Sequence, residues 1–99
     1  MNDPGSDKEI ARFGRRVVGR VQGVGFRWWT ARAARSLGLS GTVRNRDDGS
    51  VEVMAEGPPS VLERFDEMLW DGPPVSRVEH IEEIECTLPA NSEGFSILR

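Results

Sequence analysis

Between residues 13 and 37 the apolar pattern changes period across three glycines, and this change constrains the fold more than any other feature of the chain. Phe13 to Arg20, with Val17, Val18 and Val21 set among arginines, reads as a strand. From there on, Phe26, Trp29, Ala33 and Leu37 recur at helical spacing. Gly19, Gly23 and Gly25 stand between the two patterns. A strand turning through glycines into a helix N-terminus brings backbone N–H groups and the positive end of the helix dipole towards one point. Arg27 adds a guanidinium whose planar fork suits phosphate oxygens. Residues 19–27, Gly-Arg-Val-Gln-Gly-Val-Gly-Phe-Arg, therefore form a candidate anion site.

Gly38 stands where a left-handed helix cap belongs, and Leu39 is placed for the apolar contact that accompanies it. Thr42–Arg46 and Ser50–Glu56 are strand candidates joined by Asp47-Asp48-Gly49, a strong hairpin signal. Val51, Val53 and Ala55 alternate with Glu52, Met54 and Glu56, which predicts a sheet with one buried face. After Pro58-Pro59, the run Ser60-Val-Leu-Glu63 has the form of a capping box. Leu62, Phe65, Met68 and Leu69 follow at helical spacing, and Asp71-Gly-Pro-Pro74 ends that helix. Val75, Val78, Ile81 and Ile84 recur every three residues, which suits a short helix or a bulged strand equally. Phe95 and Ile97 mark a short last strand. The resulting order, β-α-β-β-α-(β)-β, is a split βαβ arrangement of α+β class, with two helices on one face of a mainly antiparallel sheet.

Ninety-nine residues make one domain. Residues 1–10 are expected to be a flexible N-terminal tail and residues 11–99 the folded unit. One cysteine, Cys86, excludes an internal disulfide and a cysteine-based metal cluster, and fits a reducing cytoplasm. No apolar run is long enough for a membrane span or a signal-peptide core. Residues 1–50 carry 10 Lys/Arg against 5 Asp/Glu, and residues 51–99 carry 3 against 11. A basic half is compatible with nucleic acid, or simply with uneven charge along a small protein.

Single residues carry little by themselves. The glycines lack the third member of a dinucleotide fingerprint, and no Gly-Lys-Ser/Thr follows. His80 has no second histidine or activated nucleophile beside it, so it reads as solvated or structural. Asp47 and Asp48 read as turn formers. Glu79, Glu82, Glu83 and Glu85 read as a wet face at the sheet edge, and Cys86 as a small half-buried residue. The Trp28-Trp29 pair has two readings: it lines the side of the site away from the anion, or Trp29 lies in the core with Trp28 partly exposed beside the loop, and the second is favoured.

Taken together, the motifs are specific. Gly19-x-Val21-Gln22-Gly23-Val24-Gly25-Phe26-Arg27 resembles, without a departure, the phosphate loop of the acylphosphatase family. Gly38-Leu39-x-Gly41-x-Val43-x-Asn45-x-x-Asp48-Gly49-x-Val51-Glu52 resembles that family's second motif, and Gly72-Pro73 and Phe95-x-Ile97 its C-terminal half. The resemblance covers about residues 13 to 99. It implies a ferredoxin-like fold, favours a strand after Pro74, and implies hydrolysis of acyl phosphates to a carboxylate and inorganic phosphate. It also implies that Gln22, Gly23, Val24, Gly25, Phe26 and Arg27 bind the phosphoryl group. By the same resemblance, Arg27 and Asn45 are the catalytic pair, with Asn45 positioning the attacking water.

The expected partners are a small acyl phosphate substrate and inorganic phosphate as product. No metal, organic cofactor, nucleic acid or membrane is expected, and the enzyme is taken as a stand-alone cytoplasmic monomer. The same fold serves RNA-recognition domains, but those need exposed aromatics at set positions on two central strands, and no such motif occurs here. Related domains also occur within larger maturation enzymes that handle carbamoyl phosphate. A stand-alone enzyme is expected here rather than a domain of that kind.

Overall fold

In a computed structural model, which describes residues 9–99, the strand before the glycines is β1 (Ala11–Arg20) and the helix after them is α1 (Phe26–Ser36). The tail expected over residues 1–10 lies, through residue 8, outside the described residues. The hairpin strands are β2 (Ser40–Asn45) and β3 (Val51–Gly57), followed by α2 (Pro59–Asp71), β4 (Arg77–Ile84) and β5 (Phe95–Ile97). The sheet order is β4-β1-β3-β2-β5. All neighbours run antiparallel except β2 and β5. Each helix thus connects two parallel strands separated by a third. α1 lies over β2 and β5, and α2 over β1 and β4.

Phe65 of α2 ties the layers together. Its ring stacks on Phe13 of β1 at 6.0 Å and meets Phe95 of β5 edge-on at 6.1 Å. Val17, Val43, Val51 and Val53 face the same layer and are fully buried. α1 ends as its sequence suggests: Gly38 takes φ 73°, donates to Arg35 O at 3.1 Å, and Leu39 donates to Ala34 O at 3.0 Å. This is the double bond of a Schellman cap, with Leu39 buried.

Two expectations need correction. The capping box at Ser60–Glu63 is not used: α2 begins at Pro59 with Pro58 as N-cap, and no side chain caps it. Proline at the first helical position has a preset φ and no N–H to satisfy, so the helix starts two residues early, while Val61 and Leu62 donate to Pro58 O. The sheet also lacks a simple wet face, since Glu52 and Met54 are 9% and 3% exposed. The chain after β4 crosses that face, burying Leu88 to 7% exposure, and Arg12 donates to the Leu88 carbonyl.

β4 is the bulged strand. Its register against β1 shifts between Val18 and Gly19, which pair with His80 and Val78, leaving Glu79 as the extra residue. A three-residue spacing between Val78 and Ile81 is therefore two residues plus a bulge.

The opposite charges of the two sequence halves meet between neighbouring strands and between β1 and α2. Arg15 reaches Asp66 at 2.9 Å, Arg16 reaches Glu82 at 2.7 Å, and Arg44 holds both oxygens of Glu52 at 3.0 and 3.1 Å. No helix among the described residues is long and apolar enough to cross a membrane.

Candidate active site

The turn from β1 into α1 is built by backbone that only glycine adopts readily. Gly23 and Gly25 take φ 74° and 78°, the left-handed region in which a side chain is strained. Nothing lies within 4 Å of where a Cβ would stand on either, so the loop is open on that side. Gly25 is the N-cap of α1, and Trp29 N–H is bonded to Gly25 O at 3.0 Å. The N–H groups of residues 23–28 have no backbone acceptor among the described residues. They lie before and within the first turn of an 11-residue helix, at its positive end.

Arg27, in the first turn of α1, leans towards the end of the chain and donates through Nη1 to the Leu98 carbonyl at 3.1 Å. Leu98 is itself fixed, since its N–H donates to Val43 O of β2 at 2.8 Å. No carboxylate pairs with Arg27 among the described residues, so its charge is not cancelled by a neighbour.

Asn45 is the last residue of β2 and pairs with Val51. The turn after it is closed by Gly49 N–H on Arg46 O at 3.2 Å and Arg46 N–H on Ser50 O at 2.9 Å. Asp48 braces the turn by accepting from the Ser50 N–H at 2.9 Å and from the Ser50 hydroxyl. Those two bonds, with Arg16 beside it, hold the Asp48 carboxyl well below the usual carboxylate range. The Asn45 carboxamide makes no hydrogen bond among the described residues. Its donors and acceptor therefore have no protein partner among the described residues.

A cavity of about 200 Å³ joins these parts, lined by Gly23, Gly25, Phe26, Arg27 and Asn45 together with Val21, Trp28 and Ile97. Of the residues expected at the phosphate site, Gln22 and Val24 stand differently. The Gln22 side chain turns away from the cavity and donates to Arg46 O and Ser50 O, both at 2.8 Å. Val24 packs against the core, and Phe26 is fully buried, so what they offer a ligand is backbone. The Leu98 carbonyl on Arg27 and the Ile97 wall were missing from the sequence reading. Only the tertiary pairing of β5 with β2 brings them there.

The arrangement sets the glycine turn, a guanidinium with no carboxylate partner among the described residues and a carboxamide around one common space. Among the described residues no group of three or more His, Cys, Asp or Glu is placed to hold a metal ion. His80 is far from this chemistry in role: it is exposed on β4 and pairs with Glu82 at 3.3 Å.

A family model for acylphosphatase matches residues 14–97. An acylphosphatase of Arthrobacter sp. (strain FB24) is 50% identical over 95 residues, spanning 96% of this chain and 83% of that protein. Another, from Thermococcus kodakarensis, is 46% identical over 83 residues, spanning 84% and 90%. The crystal structure of acylphosphatase from Bacillus subtilis superposes with a TM-score of 0.84 at 41% identity, over 92% of this chain and 100% of that one.

Proposed function

The chain belongs to the acylphosphatase family, and from that premise we propose that it hydrolyses small acyl phosphates by in-line attack of a water on the phosphoryl group. The amides of residues 22–27 and the Arg27 guanidinium hold the phosphoryl oxygens. Asn45 orients the water on the opposite side from the leaving carboxylate. The observation that carries this reading is the shared cavity: the glycine turn with Arg27, and Asn45 at the end of β2, line one space although they come from two separate segments of the chain.

The chemistry asks little of the protein beyond positioning and charge. A carboxylate is a good leaving group and departs without a proton. Fixed donors aimed at the equatorial oxygens stabilise the charge that spreads over them in the transition state. Asn45 has no useful basicity, so the proton of the attacking water passes to an oxygen of the phosphoryl group itself. The P–O bond to the water forms, the P–O bond to the acyl oxygen breaks, and the products are a carboxylate and dihydrogen phosphate. No cofactor or metal takes part in this scheme, and the protein acts as a cytoplasmic monomer.

Hydrolysis of benzoyl phosphate in the presence of a chelator tests it. Arg27→Ala is expected to abolish turnover. Asn45→Ala is expected to lower kcat by about 10²-fold or more while phosphate still competes with substrate. Full activity in either variant refutes the assignment, and loss of wild-type activity in chelator refutes metal independence.

A further inference from the structure

Resting on the reading above, the geometry points to Trp28 as the shelf of an acyl subsite that selects a flat aromatic acyl group. Trp28 is 61% exposed, an unusual state for the largest apolar side chain, and it lines the cavity that contains Arg27 and Asn45. It also lines a second groove along α1, shared with Trp29, Arg32, Ala33, Ser36 and Met68. One ring therefore bridges the phosphate space and an adjoining, largely apolar groove.

In-line displacement fixes the direction. The attacking water and the leaving carboxylate lie on opposite sides of phosphorus, so a water held by Asn45 sends the acyl group away from β2. Of the exposed side chains lining the cavity, Ile97 belongs to β5, the strand paired with β2, whereas Trp28 belongs to α1. The acyl group therefore leaves across the indole. The Arg32 guanidinium lies 5.3 Å from the centre of that ring, one helical turn on, and steadies it by a cation–π contact. A ring held in this way offers an offset stacking surface to a second ring. An acetyl group is too small to use it.

The test compares kcat/KM for benzoyl phosphate and acetyl phosphate in the wild type, Trp28→Ala and Trp28→Phe. The two substrates differ in intrinsic reactivity, but this difference cancels when their ratio is compared between variants. The benzoyl-to-acetyl ratio is expected to fall about tenfold in Trp28→Ala and to be largely retained in Trp28→Phe. Trp28 is mostly exposed, so its removal leaves the core intact, and circular dichroism checks this; Trp28→Gln serves as a second truncation. An unchanged ratio in both truncations overturns the subsite while leaving the hydrolase reading standing. Failure of the wild type to hydrolyse either substrate overturns the hydrolase reading and the subsite with it.

Discussion

The side-chain amide of Gln22 donates to the carbonyl oxygen of Arg46 at 2.8 Å, and to that of Ser50 at the same distance. This pair of bonds ties the glycine turn to the hairpin turn that follows Asn45. The two halves of the cavity are thereby held in register by a residue that offers it no side chain. Gln22→Ala is expected to lose about 1–3 kcal/mol of stability. Because Asn45 loses its fixed relation to the loop, kcat should fall more than phosphate affinity. Urea unfolding and phosphate inhibition measure the two effects. An unchanged kcat would show that the hairpin turn holds its place without the brace.

Arg27 is oriented by main chain rather than by a carboxylate. Leu98→Pro removes the N–H that bonds Val43 O and so loosens the carbonyl on which the guanidinium rests. The expected result is weaker phosphate binding and a kcat/KM lower by about tenfold, the scale of one charge-assisted bond. Leu98→Ala keeps both backbone groups and should fall less. Equal losses in the two variants would show that the side chain, not the carbonyl, matters.

Phe65 touches aromatic rings from both edges of the core. Truncation to alanine leaves a large void at the junction of α2 with β1 and β5, and should cost about 3–5 kcal/mol. Against a total of about 5–15 kcal/mol for a domain, that is enough to place the variant near unfolding at moderate temperature. Phe65→Leu fills most of the space and should lose less. Denaturant midpoints decide between these outcomes.

The Asp48 carboxyl titrates lower in the folded protein than in the unfolded chain, because Ser50 and Arg16 favour its charged form. Glu82 is shifted the same way, chiefly by Arg16. A depressed value means that the unfolded chain takes up protons first. The stabilisation is then complete above the ordinary carboxylate range and is lost as the pH falls through that range to the lower folded value. Thermal unfolding temperature should accordingly be flat near neutrality and drop in acid. Asp48→Asn should flatten that drop, and an identical acid slope in the variant would contradict the assignment.

Most of the architecture could be read from periodicity because each inner element buries one consistent face. Val51, Val53 and Ala55 show it for β3, and Leu62, Phe65 and Leu69 for α2. β4 resisted because a bulge at Glu79 stretches the step from Val78 to Ile81 from two residues to three, while Ile81 and Ile84, in unbroken register, point to opposite faces. The covered far face was illegible for a different reason. Leu88 and Met54 are both buried on that face only after an irregular segment folds back over the sheet, and no local pattern encodes that path. At the candidate site, Arg27 and the glycines announced themselves by type and spacing. The Gln22 brace and the Leu98 carbonyl did not, since a glutamine amide or a main-chain oxygen has no sequence signature until its partner is placed beside it.

The bulged strand β4 forms one border of the sheet, where unpaired main-chain groups face outwards. Glu79, Glu82 and Glu83 stand along it beside Arg77 and His80, and Glu85 follows just beyond its end. Two molecules meeting edge to edge there would set carboxylate against carboxylate, and the irregularity at Glu79 would spoil the ladder they tried to form. The negative rim thus acts as a guard against fibre nucleation, strongest where the acids are ionised and weakest in acid solution.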